Sequence, residues 1–167
     1  MSVTFPFKMT NYLQKLNNYF HGIIALPLLA FSFLYLEFDS GKLSPPFGER
    51  TYYFESGILF IVSIVWVLYL FRKVKQSIAA IDGHNLSEKL HTYSKVLIRF
   101  YLLVTFPGAI AVLLMYLTGE LSFSLIYLLE LFLLSIKRPH VAGITKDLRL
   151  EGEEKEIVMH KKPLTGG

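Results

Sequence analysis

Hydrophobic residues along this chain fall into four long runs separated by short polar stretches. The runs cover about 19–36, 56–71, 96–117 and 121–136. A helix needs roughly 20 mostly apolar residues to cross the hydrocarbon core of a bilayer, and these runs reach or approach that length. The second and fourth are short, so their ends belong at the membrane interface with little tilt. Ala30-Phe31-Ser32 loosely fits a small-x-small cleavage site. The apolar run nevertheless continues to Leu36, and the residues before it do not form a short basic leader, so a retained span is expected. The pattern predicts an all-α membrane protein: a bundle of four transmembrane helices over 1–150, with a flexible tail over 151–167.

Outside the runs the periodicity changes meaning. Leu13, Leu16 and Phe20 share one helical face ahead of the first span. They suit an interfacial lead-in or a plain extension of that helix. Ser44-Pro45-Pro46-Phe47-Gly48 forbids helix and predicts an irregular loop. Val74, Ile78 and Ile81 carry a helical stripe past the second run until Asp82-Gly83 stops it. Asn85 and Glu88 form a capping pair for a new helix, on which Leu86, Leu90, Tyr93 and Leu97 follow at helical spacing. The second and third helices are therefore expected to project as a hairpin, roughly 15 Å beyond the membrane for ten extra residues. An apolar stripe in water must cover something. Either the two arms cover each other, with help from the tail, or Val74, Ile78, Leu86 and Leu90 form a docking surface for a membrane-protein partner or a second copy. In the tail, residues 143–150 suit one short helix, and the acidic run Glu151–Glu156 is expected to be solvated and mobile.

Charge sets the orientation. Lys and Arg number 17, with two before the first run, six around the central loop and seven in the tail, against Lys42 and Arg50 alone on the other side. The positive-inside rule puts both termini and the hairpin in the cytoplasm. Charged residues make up only 18% of the chain, below the roughly 25% of soluble domains. Basic residues set beside apolar runs suit a lipid bilayer, not nucleic acid, which requires a basic face on a water-soluble fold. Cysteine is absent, which excludes disulfides, thiolate chemistry and iron–sulfur clusters.

Glu130 interrupts the fourth run, about 10 Å inside its basic end. An ionised acid there costs about 2.5–3.5 kcal/mol on insertion scales, so it must face the bundle, pair or stay protonated. Counting back through the turn at Thr118-Gly119-Glu120 places it near Pro107 and Gly108 on the third span. Pro107 frees the carbonyl of Leu103, and Pro27, at comparable depth on the first span, frees that of Ile23. Thr105, Gly108 and Ala109 are small enough for close helix approach. This level is a candidate polar site: a packing clasp, or a proton or transport site. Arg99 is too near the cytoplasmic edge to reach Glu130 and is expected to snorkel. His21, His84 and His91 give no facing pair of the kind a b-type haem needs, so no cofactor or metal is expected. No nucleophile elbow, zinc-helix or phosphate-loop motif occurs, and an enzyme is not expected.

Leu133-Leu134-Ser135-Ile136-Lys137-Arg138-Pro139, then Ile144, Asp147-Leu148 and Leu150, close the membrane region. With Leu86-Ser87-Glu88-Lys89-Leu90 and Ile98-Arg99-Phe100, this pattern resembles a group of small four-span membrane proteins of Bacteroidota. The resemblance covers roughly residues 50–150. It implies a bacterial inner membrane and the four-helix plan, and supplies no activity and no site residues.

Overall fold

The computed structural model describes residues 9–47, 52–83 and 85–160. His84, Arg50 and the ends of the chain lie outside them. Helix accounts for 83% of the described residues, in six α-helices: α1 Met9–Asp39, α2 Tyr53–Ala79, α3 Leu86–Thr118, α4 Ser124–Ile136, α5 Val141–Asp147 and α6 Gly152–Met159. A 3₁₀ turn, Leu121–Phe123, leads into α4. α1, α2 and α3 are long and apolar enough to cross a membrane, whereas Leu121–Ile136 forms a shorter apolar helix.

Local chemistry explains the boundaries. α1 is one continuous 31-residue helix, so the segment ahead of the first apolar run is an extension of that run. It ends where Gly41 takes the left-handed conformation (φ 66°) and Lys42 N–H returns to the Glu37 carbonyl. α2 stops at Ala79, ahead of Asp82-Gly83, with the Ala80 and Ile81 amides bonding back to Gln76 and Ile78. Asn85 holds the cap position of α3 as expected, but its side chain makes no capping bond, and the backbone carbonyl of Asn85 takes the Glu88 and Lys89 amides. Gly119 (φ 70°) closes α3, its amide on Met115 O, and Pro45 from the α1–α2 loop packs against it. The Glu120 carboxylate then accepts Ser122 N–H at 3.3 Å and starts the turn into α4.

α3 is the central post and packs against α1, α2 and α4. Half of its most apolar 18-residue window is buried, against 22% for α2 and 6% for α1. Leu26, Leu29, Phe33 and Leu36 on α1, and Ile61, Val65 and Leu68 on α2, are openly exposed.

Two apolar cores stabilise the bundle. The smaller joins Ala111, Met115, Phe123 and Ile126 near the Gly119 turn. The larger sits at the opposite, basic end and joins Met9, Leu13, Leu16 and Phe20 of α1 to Val74 and Ile78 of α2, Leu86, Leu90 and Leu97 of α3, and Ile144, Leu150 and Val158 of the tail. The start of α1, the α2–α3 turn and the tail thus share one closed cap. The acidic run after residue 150 is the helix α6. Its acids are mostly exposed, but Val158 is fully buried and Glu154 pairs with Lys89 at 2.9 Å.

Candidate functional site

Glu130 lies on the inner face of α4, with 1% of its surface exposed. The antiparallel α3–α4 pair, fixed by the Gly119 turn, sets it against Gly108. A Cβ on Gly108 would collide with Glu130 Oε2 and stand 3.0 Å from both Glu130 Cδ and Tyr127 Cδ2. Glycine is therefore what opens a notch in α3 for the carboxyl group and the neighbouring ring. The carboxylate touches the Gly108 backbone, but among the described residues neither oxygen has a partner with hydrogen-bond geometry. Buried polar atoms without partners cost roughly 1–3 kcal/mol each, more when charged.

The two prolines at this level have different surroundings. The Leu103 carbonyl, which Pro107 leaves without its helical donor, accepts the Trp66 indole N–H from α2 at 3.0 Å. The defect in α3 is used to tie α2 to it. Pro27 is half-buried and lines a cleft of about 470 Å³ between α1 and α3, with Gly22, Leu26, Thr105 and Ala109. From α4, the Tyr127 hydroxyl reaches α1 at the Ile24 carbonyl, 3.4 Å away, one residue beyond the carbonyl that Pro27 frees. Glu130, Gly108 and Pro107 are brought together, while Pro27 faces the α1–α3 cleft. Arg99 is exposed and faces the groove between α2 and α3.

Of the two readings of the apolar stripe, the structure has the covered one, and the docking surface is corrected. Val74, Ile78, Leu86 and Leu90 are 4%, 6%, 6% and 0% exposed. Besides the two arms and the tail, the start of α1 covers the stripe, with Met9, Leu13 and Leu16 in the same core. Tyr12 adds a hydrogen bond from its hydroxyl to the Leu90 carbonyl at 2.8 Å.

A polar cluster that sequence reasoning missed fastens the tail to this cap. Asp147 Oδ2 accepts from the Tyr93 hydroxyl at 3.0 Å and pairs with Lys137 Nζ at 3.3 Å. The Tyr101 hydroxyl donates to the Lys137 carbonyl at 2.8 Å and so caps α4. Burial, and next the Asp147 carboxylate, hold the Tyr93 phenol well above the ordinary tyrosine range, so it remains a donor at physiological pH. Tyr93 and Asp147 are 54 residues apart. Only the α5 turn, which reverses the chain after Pro139, brings them together. Among the described residues, no group of three His, Asp or Glu side chains is placed to hold a metal ion.

Comparison with family models, curated proteins and solved structures gives no match.

Proposed function

We propose that the chain is a four-span bacterial inner-membrane protein, with its cap in the cytoplasm, that serves as an accessory subunit of a larger membrane assembly. The observation that carries this is the uneven cover of its helices: α1 buries only 6% of its most apolar window, against 50% for α3. A helix–helix contact in lipid gains nothing from hydrophobic exclusion and depends on close packing and small residues. The α1–α3 cleft supplies small residues in Gly22, Thr105 and Ala109, and among the described residues nothing stands within 4 Å of a Cβ built on Gly22. Such a surface suits a partner helix, and it replaces the hairpin stripe as the expected contact.

The chain has no cysteine, so a single introduced thiol reports without background. Leu26→Cys, on the cleft, is expected to cross-link to a stoichiometric partner in native membranes, whereas Leu128→Cys, exposed on α4, is not. Equal cross-linking from both sites, or purification of the protein alone, would sink the reading.

Glu130 favours a second reading, a proton-coupled transporter, because its carboxyl group is buried against the Gly108 backbone with no partner in hydrogen-bond geometry among the described residues. Proton or solute flux into liposomes that disappears in Glu130→Gln supports transport. Flux unchanged by that substitution reduces Glu130 to a packing clasp.

A further inference from the structure

Between α2 and α3, at the basic end of the bundle, runs a groove of about 710 Å³. Among the described residues three cations line it, Lys73 from α2 and Lys95 and Arg99 from α3, and no carboxylate does. Its remaining lining is mostly apolar and includes Leu70, Phe100 and Leu103. The order along the helices is what gives the groove its character. On α3, Lys95, Arg99 and Leu103 follow at intervals of four, about 6 Å apart on one face. On α2, Leu70 lies one turn deeper than Lys73. Both walls therefore change from cationic to apolar in the same direction, from the cap toward the middle of the bundle.

Three like charges around one groove repel one another unless an anion joins them. Neither of the ion pairs Lys89–Glu154 and Lys137–Asp147 involves any of the three. Lys73 instead sits 5.7 Å from the centre of the Tyr69 ring. The ligand that matches both halves carries a phosphate at one end and a hydrocarbon chain at the other. We propose that this groove is a binding site for an anionic phospholipid, its phosphate held by Lys73, Lys95 and Arg99 and its acyl chain laid over Leu70, Phe100 and Leu103. Basic pockets between membrane helices at the cytoplasmic surface are suited to such headgroups. A free phosphate would leave the apolar half unused, and a zwitterionic lipid would bring a cation into a groove that already holds three. The inference rests on the membrane reading above.

The test uses the full-length protein, delipidated in mild detergent, and native mass spectrometry. Phosphatidylglycerol is expected to remain bound where phosphatidylcholine at the same concentration does not. The triple variant Lys73→Gln, Lys95→Gln, Arg99→Gln should lose that binding roughly tenfold or more. A charge-matched control, Lys15→Gln, Arg72→Gln, Lys75→Gln, removes three cations outside the groove lining and should keep it. Circular dichroism establishes that both variants are folded. Equal loss in the two variants, equal retention of phosphatidylcholine, or full displacement by glycerol phosphate would each overturn the lipid site. Carbonate washing of cell membranes separates the two levels of the proposal. A protein that stays in the pellet but shows no lipid preference overturns the lipid site alone, and one that carbonate releases overturns the membrane reading with it.

Discussion

The indole N–H of Trp66 donates to the Leu103 carbonyl, 3.0 Å away on the neighbouring helix. That carbonyl has no helical donor because residue 107 is proline, so a backbone defect in α3 becomes a clamp between α2 and α3. Trp66→Phe should therefore lower stability by about 0.6–2 kcal/mol, the range for hydrogen bonds between membrane helices. In a Pro107→Ala background the helix supplies its own donor to Leu103, and the same substitution should cost less. Thermal unfolding of the four proteins of this double-mutant cycle checks the coupling, and simple additivity would refute it.

Gly108→Ala should destabilise the bundle by about 1–3 kcal/mol, because the added methyl enters the space of Glu130 and Tyr127. Glu130→Ala should relieve much of that penalty in the double variant. The readout is the unfolding midpoint in detergent. Independence of the two substitutions would mean that the notch does not govern α3–α4 packing.

Leu90→Asp, and to a lesser degree Ile78→Asp, should disrupt the cap, since both positions are internal. An unpaired carboxylate in that core costs several kcal/mol at least. Expression level and gel-filtration profile report the loss. A well-folded Leu90→Asp protein would show that the stripe is open in solution.

The tail should be released by Asp147→Asn, which removes the Lys137 ion pair and weakens the bond from Tyr93. The expected cost is about 1–2 kcal/mol, with limited proteolysis after residue 137 accelerated several-fold. Tyr93→Phe should give a smaller effect in the same direction. Unchanged cleavage in both would place the hold on the tail in Ile144 and Val158 alone.

Much of this arrangement is local and was legible in advance. The apolar runs, the turn at Gly119 and the nearness of Glu130 to Gly108 follow from counting along two helices joined by a short turn. The cap was not legible, because its parts are far apart in the chain. Leu13 and Leu16, Leu90, and Ile144 and Val158 each look like one edge of an amphipathic helix, and nothing in any one segment tells which of the others covers it. Trp66 shows the same limit: the free carbonyl could be read from Pro107, but its donor belongs to another helix.

What the sequence determined by itself is therefore the four apolar segments and the turns between them, because hydrophobic period, proline and glycine act within a few residues, whereas α6 stands where composition alone predicts a mobile acidic tail. Tertiary structure alone decided which faces are inside. It turned the supposed docking stripe into a core, gave the carbonyl freed by Pro107 to Trp66, fastened Asp147 to Tyr93 and left α1 largely uncovered. Burial is a relation between segments, and long-range packing, not local pattern, satisfies it.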